Sequence, residues 1–472
     1  MNGSMTEEAV DHENRRPESR GRSLVWTVFL AILVGLLAAS LAKLLLVSIH
    51  FTENFIHQGL MFGFDGSPLM DLAKTEGIEN ARLSPVNVVV MVVFGLIVGC
   101  MTYYLMPNRA NRGLSHVIED VHFNKGSTGV KEGFVVGAVS AVSIGAGASV
   151  GRFGPAVHLG AAAASGLGAI FKMSVHERVT LSCAGIAAAI SASFLSPIAA
   201  IIFVQEVVLR QWTLRQFIPI AAAAVVAKET AYKMNVHFII PVPSTPEDVQ
   251  PIELAYFALV GLLAGALSIA FNRALPAATA FTAKHLKVDN RIKPAIGALV
   301  LAAMGFYYPS ILGLGGYETQ LAVAGGIALS LCVILLALKF VATVASFSFG
   351  FNGGVFGPSL FMGAMLGSAV GLAVQETGAE ITSISLYALA GMGAMVAGVT
   401  GAVISAIIVM IEMTHAAATL PMIFAVTFAY VVIYLASEDS LLIRQLKSRG
   451  KYPWYEKLKF IFPKKNIPIA AG

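Results

Sequence analysis

The sequence predicts an all-α integral membrane protein that crosses the bilayer many times and is built from two repeats of inverted topology. The first observation is composition, since 56% of the 472 residues are hydrophobic, 12% are charged and 45 are glycine. These proportions are typical of a multispanning helical membrane protein. The second observation is a repeated pentad of residues. The third is a distribution of basic residues that gives the two halves opposite orientations.

The repeat is visible at two places in the chain. Gly-Arg-Phe-Gly-Pro at 151–155 returns as Gly-Val-Phe-Gly-Pro at 354–358, and six of the eleven positions that start with each pentad are identical. A second match follows in the same order, in which Glu206 corresponds to Glu412. Internal duplication in a polytopic chain, with Gly and Pro interrupting apolar segments at corresponding places, indicates a transport site at the repeat interface.

The pentads have the chemistry of a helix start. Proline is tolerated in the first turn of a helix, and the free backbone N–H groups before it carry partial positive charge that attracts anions. Irregular backbone at membrane depth must line a cavity or pathway enclosed by protein. The pentads therefore predict an anion pathway. The alternative is that they are only kinks that allow close helix packing.

Clusters of Lys and Arg mark the segments expected on the cytoplasmic side. These basic residues are Arg15, Arg16, Arg20, Arg22, Arg109, Arg112, Lys125, Lys284, Lys287, Arg291, Lys293 and eight more within 444–465. Segment 51–83 is more acidic than basic and 235–272 has no Lys or Arg, so both should face outward. The first half therefore enters the membrane from inside and the second from outside. We expect both termini in the cytoplasm and the protein in the cell inner (plasma) membrane.

The chain divides into a membrane domain and two tails. Residues 1–23 are polar and lack the apolar core of a signal peptide, so they predict a disordered cytoplasmic tail. A transmembrane domain follows at 24–450, with repeats at about 24–250 and 251–450. Residues 451–472 are expected to form a short cytoplasmic tail.

Apolar runs predict the helices in order along each half. In the first half they are 24–50, 85–106, 130–146, 155–171, 180–192, 196–210 and 214–232. In the second half they are 253–282, 292–305, 322–346, 357–375, 385–400, 403–413 and 420–436, followed by an amphipathic segment at 439–449. Several are shorter than the roughly 20 residues that cross a bilayer, so we expect discontinuous helices around a midplane site.

Other classes of protein are disfavoured. Cys100, Cys183 and Cys332 each lie singly in an apolar run, which argues against a disulfide or a metal site. No paired-histidine metal motif, nucleophile with a base or carboxylate dyad occurs in one segment, so we expect neither an enzyme nor a cofactor. The net charge of +5 comes from the ends and loops, which indicates membrane orientation and no nucleic-acid partner.

Taken in order, these motifs resemble the CLC family of chloride channels and proton-coupled chloride exchangers. The residues that carry the resemblance are the pentad at 151–155, the stretch Ser348–Gly367, the turn 313–318, the run 411–414 with 420–423, and Ser196-Pro197 leading to Phe203 and Glu206. The resemblance covers about 24 to 450. It implies a homodimer in the lipid membrane, with a separate pore for chloride or another small anion in each subunit.

The resemblance also implies pore residues. Val355 and Phe356 would donate amides to a central anion, and Gly357 of the same pentad would line the pore beside them. The amides around Arg152, Phe153 and Gly154 would serve an outer anion. An anion held by partial charges binds well enough to enter and loosely enough to leave, as conduction requires.

Four positions depart from the family pattern. Phe153 stands where a glutamate acts as gate and proton carrier, and Val207 stands at the inner proton-transfer position. Leu442 replaces a tyrosine that caps the central site. The family's chloride-coordinating serine aligns with Arg112, while a shift of register offers Ser115 instead. We therefore expect passive anion conduction, with Phe153 as the gate.

Alternatives remain at the level of sequence. One is a coupled exchanger whose proton route uses His116, His158 or Glu206, and another is a membrane scaffold that has lost transport. Phe153 could be a packing aromatic, and Arg152 could brace its loop. Glu206 and Glu412 occupy equivalent helix ends, so we favour a structural role for both. For Lys339 we favour a structural explanation, in which its side chain snorkels or pairs with a carboxylate.

Overall fold

The computed structural model describes residues 20–57, 82–106, 111–236, 249–414, 419–436 and 438–451. Most of the predicted tails 1–23 and 451–472 lies outside the described residues, as does Arg109. Within this part of the chain the structure is helical, and the first repeat contains eight α-helices. These are α1 Arg20–His57, α2 Pro85–Leu105, α3 Leu114–Phe123, α4 Val130–Gly145, α5 Phe153–Ile170, α6 Val175–Phe194, α7 Pro197–Phe203 and α8 Leu214–Lys233.

The second repeat has the same order of helices. They are α9 Glu253–His285, α10 Lys293–Gly305, α11 Gly316–Val323, α12 Leu329–Ser348, α13 Phe356–Glu376, α14 Ile384–Thr400, α15 Val403–Met413 and α16 Thr419–Leu435. A final short helix, α17, spans Leu441–Ser448. Short irregular helices add the π-helix Val204–Leu209 after α7 and the 3₁₀ turn Pro309–Ile311. The all-α fold with two repeats is confirmed.

Two helices were absent from the sequence prediction, and they are equivalent in the two repeats. Helix α3 and helix α11 have only ten and eight residues and carry polar side chains, so neither produces an apolar run. The predicted run 322–346 was wrong in its start, because the chain turns between α11 and α12. Gly325 in this turn has a φ of +73°, a conformation that favours glycine.

The helices that begin at the pentads form the centre of the protein. Among the described residues, six helices are long and apolar enough to cross a membrane: Leu24–Phe55, Pro85–Leu105, Phe153–Ile170, Glu253–His285, Leu329–Ser348 and Phe356–Glu376. In α5 and α13 the most apolar window is 72% buried within the protein, against 33 to 44% in the other four. Lipid contact therefore falls on the outer helices, and α5 and α13 are enclosed by protein.

Reciprocal hydrogen bonds relate the two repeats. The Ser149 N–H donates to Ser346 Oγ at 3.0 Å, and the Asn352 N–H donates to Ser143 Oγ at 3.2 Å. Each bond joins a loop before a pentad to a helix of the other repeat. Ser149 and Asn352 are 203 positions apart in the chain, as are Ser143 and Ser346, and the pentads have the same spacing. The duplication seen in the sequence is therefore also a pseudo-symmetry of the atomic contacts.

Glu206 and Glu412 form a second reciprocal pair. The Glu206 carboxylate accepts the N–H groups of Ile404 and Ser405, at 3.0 and 2.9 Å, at the start of α15. The Glu412 carboxylate accepts the N–H groups of Ile198 and Ala199, at 3.2 and 2.8 Å, at the start of α7. First-turn N–H groups lack intrahelical acceptors. Each repeat therefore caps a short helix of the other, which gives both glutamates a structural role.

The pentad glycines allow the two repeats to meet backbone to backbone. Gly151 and Gly354 form an antiparallel bridge in which each N–H donates to the other carbonyl at 2.6 Å. A Cβ atom on Gly151 would lie 2.9 Å from the Gly357 nitrogen and 3.1 Å from the Gly354 oxygen. Only glycine fits, because the opposing atoms belong to backbone and not to a flexible side chain.

We predict that Gly151→Ala destabilises the protein by about 1 to 3 kcal/mol, the usual cost of overpacking a rigid site. The measurement is the thermal unfolding midpoint of purified protein in detergent. Gly113→Ala is the matched control, because a Cβ there meets nothing within 4 Å. Equal unfolding midpoints for the two variants would contradict the close backbone contact at the pentads.

Candidate functional site

The N-termini of α5 and α13 converge at the Gly151 to Gly354 bridge. Phe153 is the first residue of α5 and Phe356 the first of α13, with Arg152 and Val355 as the preceding cap residues. The first-turn N–H groups of both helices have no intrahelical acceptor, and both helix dipoles present their positive ends at this place. No full charge is needed to attract an anion here, because two helix ends contribute together.

Three phenyl rings form a cluster at the convergence, which we call the aromatic cluster. It consists of Phe153, Phe194 from the end of α6, and Phe356. The Phe153 and Phe194 rings stack with centroids 4.1 Å apart, and the Phe356 ring lies 5.6 Å from Phe153 and 4.8 Å from Phe194. Phe153 is buried, with 8% of its surface exposed. Its ring therefore fills space between the two helix N-termini and has no ionisable atom.

A cavity of about 390 Å³ lies on one side of Phe153, and we call it the Arg152 cavity. Arg152, Phe153, Gly357 and Leu360 contribute to its wall, with the glycine-rich turn that leads into α11. Gly154 and Gly357, the fourth residues of the pentads, approach Gly354 and Gly151 respectively. The cavity therefore ends at the pentads and the aromatic cluster.

The start of α3 is tied to both pentads. His158 Nε2 on α5 lies 3.0 Å from the Gly113 oxygen, and Asn111 Nδ2 donates to the Phe351 oxygen at 3.0 Å, just before the second pentad. Ser115, the second residue of α3, is 1% exposed. Its hydroxyl has no hydrogen-bond partner among the described residues. A buried hydroxyl without a partner is costly, so Ser115 has the chemistry of a ligand donor.

Arg112 is placed differently from Ser115. Its guanidinium lies 3.3 Å from an Asp120 oxygen and forms an ion pair with Glu132. The positive charge is therefore matched by two carboxylates, Asp120 on α3 and Glu132 on α4. The expectation that Arg112 replaces the family serine stays a prediction, and the unpaired hydroxyl favours Ser115 for direct contact with an anion.

The carboxylates around Arg112 lie outside the candidate spans and have shifted pKa values. Burial raises the pKa of both Asp120 and Glu132, and in each case Arg112 opposes the shift only partly. Burial, with the neighbouring Arg449 and Arg112, lowers the pKa of His116 to about 3. Acidification therefore neutralises Asp120 and Glu132 at a higher pH than ordinary carboxyls, while His116 stays neutral.

Leu442 and Val207 are buried apolar side chains of the same core cluster as Val117 and Ile118 of α3. Each is 3% exposed, Leu442 at the start of α17 and Val207 in the π-helix that carries Glu206. Helix α17 packs on α3, where Arg449 Nε donates to Glu119 at 3.0 Å. Neither Leu442 nor Val207 can donate a hydrogen bond or carry a proton from its side chain.

Sequence analysis did not identify two side chains of this region. Phe194 was missed because its equivalent in the second repeat, Thr400, is not aromatic, so the repeat gave no signal. Gln205 is 1% exposed, and neither atom of its amide has a hydrogen-bond partner in the described part of the chain. The signal available in the sequence was a polar residue next to Glu206 in an apolar run, which could have identified Gln205. Among the described residues, no group of three or more His, Cys, Asp or Glu side chains could hold a metal ion.

The fold and the site define a helical membrane transport protein, with broken helices from two inverted repeats meeting at an anion-attracting centre. The sequence profile of the family described as "Voltage gated chloride channel" matches residues 94–434. The chain belongs to this family, the CLC chloride channels and transporters. This match confirms the resemblance seen in the motifs. Members of the family move anions across membranes.

The relatives include proteins named as channels and proteins named as exchangers. A putative ClcB-like chloride channel protein of Ralstonia nicotianae is 28% identical over 379 residues, 78% of this chain and 88% of that protein. Chloride channel protein CLC-e of Arabidopsis thaliana is 27% identical over 82% of this chain and 56% of its own length. The H⁺/Cl⁻ exchange transporter ClcA of Vibrio cholerae is 29% identical over 58% of this chain and 60% of its own length.

Solved structures share the fold. A slow cyanobacterial Cl⁻/H⁺ antiporter superposes with a TM-score of 0.77 at 19% identity, covering 90% of this chain and 97% of that one. A CLC-type fluoride/proton antiporter has a TM-score of 0.72 at 21% identity, covering 88% and 96%. At these identities the similarity establishes the architecture and leaves the transported ion and its coupling open.

We predict that Ser115 and Arg112 differ in the salt dependence of their effects. Ser115→Ala should weaken anion binding several fold at every ionic strength, because it removes one direct hydrogen bond worth about 1 kcal/mol. Arg112→Ser leaves Asp120 and Glu132 without their cation, so flux should fall at low salt. It should approach the parent value toward about 1 M, where the Debye length is about 3 Å.

The measurement is chloride flux from liposomes over a series of salt concentrations. An Arg112→Ser variant that conducts faster than the parent at every concentration would place Arg112 in the binding site. An unchanged Ser115→Ala variant would remove Ser115 from the path.

Proposed function

We propose that the protein conducts chloride or a similar small anion passively across the membrane, without coupling to protons. The observation that carries the proposal is the position of Phe153, where the N-termini of α5 and α13 converge. An anion that passes this place meets backbone N–H groups and a phenyl ring. Neither can exchange a proton with it.

The mechanism follows from partial charges. The N–H groups of Val355 and Phe356 and the hydroxyl of Ser115 are the donors for a central anion, and those around Arg152, Phe153 and Gly154 serve an outer one. Donors without a full charge hold an anion weakly enough for release. The aromatic cluster excludes water and raises the energy of a hydrated anion. Movement of the Phe153 ring would then open the path.

Proton coupling requires titratable groups along a second route. Phe153 and Val207 occupy the two positions that the family resemblance assigns to proton transfer, and both are apolar.

The runner-up is coupled exchange by another route, and one observation favours it. His158 is fully buried between α5 and α3, and its Nδ1 has no hydrogen-bond partner within the described residues. A transport-inactive scaffold is disfavoured, because the donors for an anion remain in place.

The assembly and orientation belong to the same proposal. We infer a homodimer with one pathway in each subunit, in the inner (plasma) membrane, with both termini cytoplasmic. The membrane domain would span 24–450, with cytoplasmic tails at 1–23 and 451–472. In this orientation the Arg152 cavity faces outward, because its wall includes His50 and Glu53 near the end of α1, which starts inside.

We predict that Phe153→Ala raises chloride flux by about tenfold, which corresponds to a barrier lower by about 1.4 kcal/mol. The ring no longer fills the space between the helix N-termini, so water can accompany the anion. The measurement is chloride efflux per folded protein in liposomes. Phe281→Ala is the control, since Phe281 is an exposed ring of α9. Equal flux in the parent and Phe153→Ala would show that the ring lies away from the path.

We also predict that a chloride gradient moves no stoichiometric protons through the parent protein. Luminal pH is recorded in sealed vesicles while chloride flows down its gradient. Phe153→Glu should make flux depend on pH without restoring coupling, because the Val207 side chain still cannot carry a proton. Uphill proton movement driven by chloride in the parent would refute passive conduction and favour the runner-up.

A further inference from the structure

Lys339 places a basic side chain inside the membrane domain. It lies in α12, one of the candidate spans, and none of its surface is exposed, so it does not snorkel to a membrane surface. An ionisable side chain at membrane depth is costly, and it is usually functional and held by a partner. The proposed mechanism gives Lys339 no task, and Lys339 does not line the Arg152 cavity. Its role therefore depends on the groups around its ammonium.

Backbone oxygens and one aromatic ring hold this ammonium in place. Lys339 Nζ donates to the Ile311 oxygen at 2.9 Å and to the Gly313 oxygen at 3.0 Å, and it lies 4.8 Å from the centre of the Phe361 ring. These contacts fix the ammonium against the turn that leads into α11. They leave its charge uncompensated, since carbonyl groups and a phenyl ring carry no net charge.

The compensating charge is the carboxylate of Glu318. Glu318 lies in the first turn of α11, and a Cβ atom on Gly315, the cap residue of that helix, would lie 3.2 Å from Lys339 Nζ. The two side chains interact electrostatically across this turn. Glu318 is 6% exposed, and unlike Lys339 it lines the Arg152 cavity. The pair therefore has its negative member on the cavity side and its positive member behind the wall.

A carboxylate in this wall opposes the entry of an anion. The effective dielectric constant near a protein surface is about 20, against about 80 in water, so like charges repel more strongly there. Arg152 is the cation of the wall itself, and Glu53 is its other carboxylate, 3.9 Å from His50. When His50 is neutral, Lys339 and Arg152 together balance the two carboxylates. Without Lys339 the negative charge is in excess.

We propose that Lys339 governs anion entry by neutralising Glu318 across the wall of the Arg152 cavity. Lys339 is a positioning residue in this account, because it acts on the anion only through the carboxylate that faces the cavity. The inference rests on the proposed passage of anions through this cavity. It does not depend on the absence of proton coupling, since a coupled exchanger would admit its anion at the same mouth.

The test is a charge-balance series, measured as chloride flux in liposomes at low ionic strength. Lys339→Met keeps a side chain of similar length and removes the charge, so the uncompensated Glu318 should lower flux at least about fivefold. Lys339→Met combined with Glu318→Gln removes both charges and should return flux to near the parent value. Glu318→Gln alone leaves Lys339 uncompensated, so half-maximal flux should need less chloride.

A purely structural role of Lys339 predicts a different pattern. Both variants that carry Lys339→Met lose the bonds to Ile311 and Gly313, so both would conduct poorly. Glu318→Gln alone keeps these bonds, and it decides the case in which the Lys339 variants fail to fold. Arg82→Gln is the matched control, because it removes an exposed positive charge outside the cavity wall and should conduct like the parent.

Three results would overturn the proposal. They are parent-like flux in folded Lys339→Met, low flux in the folded double variant, and an unchanged chloride dependence in Glu318→Gln. Proton movement in the parent is recorded in parallel. Chloride-driven proton transport with rescue in the double variant refutes only the proposed function, whereas uncoupled flux without rescue refutes only this inference. A parent that conducts no chloride overturns both.

Discussion

The backbone contact between Gly151 and Gly354 is the constraint on which the rest of the structure depends. Two N–H to carbonyl bonds of 2.6 Å hold the repeats together where each broken helix begins. No side chain fits between them, so the starts of α5 and α13 come as close as backbone allows. The anion-attracting centre, the aromatic cluster and the Arg152 cavity all lie around this contact. The reciprocal caps by Glu206 and Glu412 also hold the two repeats together, at the starts of the short helices α7 and α15.

In the proposed pathway, the charges are distributed in a way that would attract anions without trapping them. At the convergence of the helices the attraction comes from partial charges on N–H groups, whose effect is strongest within the first turn. Arg112 is matched by Asp120 on α3 and Glu132 on α4, so its charge acts only in combination with theirs. Arg152 is the exception, because the described residues leave its guanidinium without an anion. The two arginines therefore have different surroundings, because Arg112 is ion-paired with carboxylates and Arg152 lies over the Phe153 ring.

Sequence reasoning identified the pentads, the repeat and most helices, because each leaves a local signal in composition or spacing. It missed α3 and α11, since helices of ten and eight residues with polar side chains among the apolar ones produce no apolar run. It also missed Phe194, whose partner in the second repeat is Thr400. The alignment left Arg112 and Ser115 as alternatives. Only their three-dimensional neighbours separate an ion-paired guanidinium from a buried hydroxyl without a partner.

The sequence by itself determined the class of protein, the duplication and the absence of titratable groups at Phe153 and Val207, since residue identity and order carry this information directly. Tertiary structure alone decided which groups meet. The stacking of Phe153 on Phe194, the ion pairs of Arg112 and the cavity beside Arg152 join residues far apart in the chain. The physical reason is that helix packing sets such distances through contacts of whole surfaces, and no local pattern in the sequence encodes the result.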